Sequence, residues 1–124
     1  PVVAFLDQLA REDPEREVLV LHADRSEAAW PGRELVRDYV SRMPNAKLVS
    51  WLAAPGEGDF AGHMDVSQAE IPEGAEVFMC GPLAFMQSVR SQLVSGGVPG
   101  RSIHYEIFGP DLWMLHDEAR TANA

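Results

Sequence analysis

"VFMCGPLAFMQSVRSQLVSGGVPGRSIHYEIFGP", Val77 to Pro110, is the stretch on which the fold turns. An apolar run ends at Cys80 and meets Gly81-Pro82, where a strand ladder stops because proline has no N–H to give. Apolar residues then return at three-and-four spacing from Leu83 to Val94, the periodicity of a helix, and Gly96 with Gly97 supply its C-terminal cap. Ile103 to Phe108 carries β-branched and aromatic residues and is ended by Gly109-Pro110, which predicts another strand.

The same alternation extends upstream. Val18 to Leu21 is a short continuous apolar run, the mark of a strand covered on both faces in a parallel sheet. Its carboxyl end is His22, Ala23, Asp24, Arg25 and Ser26. Before it, Val2, Val3, Phe5, Leu6 and Leu9 form a helical stripe that stops in the charged segment Arg11 to Glu17, with Pro14 enforcing the end. After it, Pro31 suits a helix's first turn, and Leu35, Val36, Tyr39, Val40 and Met43 keep helical spacing until Pro44-Asn45. Lys47 to Ala53 reads as a strand. Residues 55–74 are rich in Gly, Pro, Asp and Glu and read as a long loop with a short turn near Val66 to Ala69. Glu76 to Cys80 is the next strand, and residues 111–124 read as a tail, a short helix or an added strand. Helix, strand, helix, strand, loop, strand, helix, strand is the grammar of a doubly wound parallel α/β domain, whose ligands bind outside the carboxyl ends of the strands.

Composition narrows the class. A chain of 124 residues that is 46% hydrophobic buries one core, so a single domain over residues 1–124 is expected. A formal charge of -9 repels phosphate backbones and anionic lipid, so neither nucleic acid nor a membrane is an expected partner. No apolar run approaches the length of a spanning helix and the first residues do not read as a leader, so the expected location is cytoplasmic. One cysteine forms no internal disulfide. His63, His104 and His116 are scattered without a ligand set, and no metal site is expected.

Two motifs in register, Cys80-Gly81-Pro82 leading to Phe85-Met86, and Gly97-Val98 followed by Tyr105-Glu106-x-Phe108-Gly109-Pro110, resemble the pyridine-nucleotide domain of the ferredoxin-NADP reductase superfamily. Within it they are most similar to the C-terminal part of the flavohemoglobins, the nitric oxide dioxygenases. "VLVLHADR" and "LVSWLAAPGEGD" extend the resemblance more weakly over the rest of the chain. The resemblance implies a Rossmann-like fold, and the family's first strand and Gly-x-Gly-x-Thr-Pro loop have no counterpart ahead of Pro1, which matches the loop's closing proline. In the family that strand lies centrally, so the two strands it would join are expected to associate with a second copy or with another piece of the parent polypeptide. Unpaired apolar edges invite such pairing.

The resemblance assigns roles residue by residue. Cys80, Glu106 and Phe108 are the expected catalytic group: the thiol beside the nicotinamide, the carboxylate tuning the flavin, and the ring covering the flavin until nicotinamide displaces it. Glu106 and Phe108, two apart on a strand, share a side. Gly81 is expected to let the ring approach and Pro82 to open a helix whose N–H groups favour pyrophosphate. Pro1, Phe85, Met86, Ile107, Gly109 and Pro110 complete the dinucleotide contacts. His22, Arg25 and Ser26 stand where such proteins choose between a ribose hydroxyl and a 2'-phosphate, with Asp24 opposing a phosphate. Plain alternatives accompany each role: Cys80 as core filler, Glu106 and Phe108 as ordinary strand content, and the residues after the Val18 strand as solvated polar ends.

The function these readings imply is hydride transfer from NAD(P)H to FAD, with FAD held mainly by a barrel outside this chain and heme present only in a full-length relative with its globin domain. The other class of function is a non-catalytic remnant that serves as a protein-association module.

Overall fold

The computed structural model describes residues 2–106. These fall into two compact units that divide between Met64 and Asp65. Every strand pairing in both is parallel.

In the first unit, helix α1 (Val2–Glu12) leads to strand β1 (Val18–Asp24), helix α2 (Arg33–Arg42) to strand β2 (Ala46–Leu52), and a two-residue strand β3 (Phe60–Ala61) closes a sheet ordered β1-β2-β3. Val18 and Val20 on β1 share a face with Leu48 on β2, and Leu6 of α1 and Val36 of α2 pack there with Trp30. Tyr39 Oη donates to Asp7 Oδ1 at 2.8 Å and ties α2 to α1. The opposite face carries Trp51, which has no exposed surface and stacks on Phe60 at 5.6 Å. Burying such large apolar groups is the main favourable contribution to the fold.

β1 runs three residues beyond the expected Val18 to Leu21, so His22 lies inside the strand rather than after it. Its continuation is explained by pairing, because His22, Ala23 and Asp24 meet Ser50, Trp51 and Leu52 in register. α2 begins at Arg33, not at Pro31, since Gly32 in the left-handed region (φ 74°) turns the chain into the helix. β3 had no counterpart in the sequence reading. It joins β2 through a connection far too short for a helical crossover, turned by Gly58 at φ 73° and locked where Ser50 N–H donates to Asp59 Oδ2 at 2.9 Å.

In the second unit, a 3-10 turn (Val66–Gln68) precedes strand β4 (Val77–Cys80), helix α3 (Leu83–Ser95), a further 3-10 turn (Gly100–Ser102) and strand β5 (Ile103–Glu106), which pairs with β4. Met86, Val89 and Leu93 are the buried face of α3, and Val66 and Ile103 are buried with them in this unit. Gln92 Oε1 accepts from Val66 N–H at 2.9 Å, docking the first turn on the helix. The expected cap is present: Gly97 has φ 103°, and Val98 N–H reaches back to Leu93 O at 3.0 Å. Among the described residues no helix is long and apolar enough to cross a membrane.

Candidate functional site

The residues singled out for chemistry gather at carboxyl ends of strands in both units. In the second unit, β4 and β5 are aligned so that Cys80 stands opposite Glu106. Two motifs 26 positions apart in sequence are therefore neighbours across one ladder. Cys80 is a partly buried free thiol.

The turn after Cys80 is as tight as its composition implies. Gly81 adopts φ 146°, which a side chain rarely tolerates, and a Cβ there would meet Phe85 Cδ1 at 2.9 Å. The space left by the missing side chain is thus taken by the protein's own Phe85. Gly81 and Phe85 form one packed unit, a local reason for the glycine beside the expected ligand approach. Pro82 precedes α3 as its N-cap instead of forming its first residue, and its carbonyl accepts from Met86 N–H at 3.0 Å. No side chain caps the helix. Met86 itself is buried with the apolar face of α3. Pro1, Ile107, Phe108, Gly109 and Pro110 lie outside the described residues.

In the first unit the end of β1 opens into the loop of residues 25–32. His22 lies flat on Trp30, with ring centroids 3.9 Å apart and planes 11° from parallel. Its Nε2 is 3.4 Å from Asp24 Oδ2, as alternate residues on one strand face permit. Burial pushes the imidazole below its ordinary value of 6.5, against the opposing pull of Asp24. His22 is therefore committed to the fold through its ring. Asp24 Oδ1 also accepts from the Arg25 N–H at 2.8 Å, and Ser26 Oγ accepts from Ala29 N–H at 3.2 Å. The Arg25 side chain is exposed and has no hydrogen-bond or ion-pair partner among the described residues.

Sequence reasoning missed the residue that organises this loop. Every polar group of Glu27 is engaged. Its N–H donates to Glu57 Oε2 at 3.0 Å, its carbonyl accepts from Arg33 Nη1 at 2.7 Å, and its Oε1 accepts from Arg37 Nη2 at 2.5 Å. Arg37 holds the Glu27 carboxyl below its ordinary range by that hydrogen bond and by its charge. The Arg37 guanidinium also lies over Trp30, 5.6 Å from the ring centroid. The legible signal was Trp30, the one large apolar residue between Asp24 and Pro31. Its partners are set by tertiary structure.

Comparison with known proteins identifies the setting of these residues. The sequence profile of the oxidoreductase NAD-binding domain family matches residues 1–91. A flavohemoprotein of Rhizobium meliloti is 31% identical over 123 residues, covering 91% of this chain and 30% of that protein. The crystal structure of flavohemoglobin from Malassezia yamatoensis with bound FAD and heme superposes with a TM-score of 0.82 at 43% identity, covering 88% of this chain and 28% of that one. The FAD/NAD-binding domain of nitric oxide dioxygenase from Vibrio cholerae gives 0.78 at 29% identity, covering 86% of this chain and 45% of that one. The chain thus spans about a third of the length of the curated relatives it matches. With a Rossmann-like fold, all-parallel strands and flavohemoproteins among its relatives, this chain belongs to the oxidoreductase NAD-binding domain family of the ferredoxin-NADP reductase-like superfamily.

Proposed function

We propose that this chain is the nicotinamide-nucleotide part of a flavin reductase, binding NAD(P)H and presenting its hydride to FAD held by polypeptide outside residues 1–124. The observation that carries this reading is the register of β4 on β5, which puts Cys80 opposite Glu106 at one strand end. Two separate motifs meet there along one ladder, and Cys80 leads directly into the start of α3, which no side chain caps. The N-terminal N–H groups of α3 suit a pyrophosphate, and Cys80 borders the nicotinamide. FAD, when bound, supplies the hydride acceptor and divides the electron pair for onward transfer. The residues of this chain that serve it are Cys80 and Glu106, with Phe108 as the ring that nicotinamide displaces. In a longer protein built like the flavohemoglobin relatives, the electrons reach heme, where nitric oxide is oxidised to nitrate.

The test is anaerobic stopped-flow reduction of the intact FAD-loaded protein that carries this chain. Cys80→Ala is expected to slow flavin reduction by roughly tenfold or more at saturating nucleotide, because small misplacements of the reacting ring are costly. An unchanged rate would return Cys80 to the role of strand filler.

A second reading has its own support. β1 and β4 each have a hydrogen-bonded neighbour on one side only among the described residues, and Phe78 and Tyr105 are more than half exposed. These edges suit association, with a second copy or with another segment of a parent protein. Light scattering that shows this chain as a stable lone monomer excludes the association reading, and a full-length protein carrying it without flavin absorbance excludes the reductase reading.

A further inference from the structure

We propose that Glu27 sets the nucleotide preference of this site by withholding Arg37 from a 2'-phosphate. The inference rests on the reading of the β1 end as the adenosine-ribose side of an NAD(P)H site. In dinucleotide folds the residues just past such a strand distinguish a ribose hydroxyl from a phosphate, and arginine is the side chain best shaped to hold the phosphate. Three arginines lie close in sequence here, Arg25 in the loop and Arg33 and Arg37 on α2, which at face value favours NADPH. The structure commits two of them. Arg33 is bound to the Glu27 carbonyl, and Arg37 is bound to the Glu27 carboxylate while lying over Trp30.

Arg25 remains uncommitted, but its backbone N–H is held by Asp24, so the loop opens on a carboxylate as well as on a cation. Glu57 brings another carboxylate to the Glu27 N–H. A dianionic 2'-phosphate at this strand end is opposed by the carboxylates of Asp24, Glu27 and Glu57, and of the three guanidiniums only Arg25 is without a partner among the described residues. A ribose hydroxyl pays no such repulsion and finds acceptors in the same carboxylates. The Arg37–Glu27 pair is solvent-exposed, with side chains 45% and 39% exposed. It is therefore open to competition once its negative member is neutralised, whereas Arg33 stays on a backbone carbonyl whatever residue occupies position 27.

The experiment compares NADH and NADPH as reductants of the flavin in the intact FAD-loaded protein, with KM and the saturating rate measured separately. Glu27→Gln retains the shape and removes the charge. It is expected to lower the KM for NADPH and to raise its kcat/KM relative to NADH by about fivefold, the scale of a solvent-screened ion pair, with the saturating rate of reduction unchanged. The double variant Glu27→Gln with Arg37→Gln is expected to lose that gain. Arg37→Gln alone is expected to leave the ratio at the parent value, because the guanidinium is already withheld. That variant tests the idea even where Glu27→Gln fails to fold. An unchanged ratio in Glu27→Gln, a gain that persists in the double variant, or a loss of NADPH use in Arg37→Gln overturns the role of Glu27 and leaves the reductase reading in place. Failure of the unsubstituted protein to be reduced by either nucleotide overturns both.

Discussion

The two strand-to-helix junctions among the described residues solve one geometrical problem in opposite ways. Between β4 and α3 the chain turns in two residues, Gly81 and Pro82, held by backbone geometry and by a ring packed against bare glycine. Between β1 and α2 it takes residues 25–32, held by side chains: the Glu27 cluster, the Ser26 hydroxyl and the Trp30 anchor. The short turn leaves main-chain groups at the strand end, and the long one leaves charged side chains. A backbone-built turn is vulnerable to a single added carbon, whereas a side-chain-built loop is vulnerable to loss of its anchor and tolerant elsewhere.

The sharpest challenge to that contrast is Trp30→Ala. Trp30 is 3% exposed, and its removal takes away the His22 stack and a cavity's worth of core, so a loss of about 3–5 kcal/mol is expected in denaturant unfolding. A loss under about 1 kcal/mol would mean that the loop is not anchored through this ring. Next is a matched pair of glycine substitutions. Gly81→Ala forces a strained φ and a contact with Phe85, for an expected cost of about 1–3 kcal/mol. Gly32→Ala, at φ 74° with its nearest contact an ordinary 3.8 Å from Val3, should cost about 1 kcal/mol. Equal melting temperatures for the two variants would erase the distinction between the junctions.

A smaller effect separates them by pH. Because burial lowers the folded-state pKa of His22, the unfolded chain binds the proton more readily. The stabilisation held above the ordinary value of 6.5 is then lost as pH falls from there through the folded value. His22→Phe, which keeps a flat ring on Trp30, should flatten that part of the stability profile; an unaltered slope between neutral and mildly acid pH would count against it. Smallest of all is Arg25→Ala, whose exposed side chain has no partner among the described residues, so stability should change by less than about 0.5 kcal/mol.

The sequence was most legible where periodicity runs long. α1, α2, α3 and the strands β2 and β4 lie close to their expected spans, because their apolar patterns are visible in the chain. β3 was invisible since two residues cannot display a period, and its pairing depends on Trp51 meeting Phe60. The end of β1 was misjudged by three residues because His22 and Asp24 are polar, yet they are carried by the ladder to β2. At the site, the Cys-Gly-Pro turn was readable from chemistry, but the ring that fills the Gly81 gap was not. The Glu27 cluster draws on residues 27, 33, 37 and 57, a grouping that no local pattern announces. The expected roles of Phe108, Gly109 and Pro110 fall outside the described residues.

The short parallel clasp of β3 on β2 bears on the order in which the chain folds. Trp51 meets Phe60 across nine positions, whereas Val18 meets Ala46 across 28. Closing the longer loop costs about 1 kcal/mol more in chain entropy, so the clasp has the lower contact order and the earlier opportunity to form. In pulse-labelled hydrogen exchange during refolding, the amides of Asp59 and Gly62, bonded to Ser50 and Leu52, should gain protection before those along β1. Simultaneous protection would mean that β2 acquires its strand conformation only when both neighbours are present. If the clasp does come first, Trp51 and Phe60 act as a nucleus that stiffens β2 as the template on which β1 later docks.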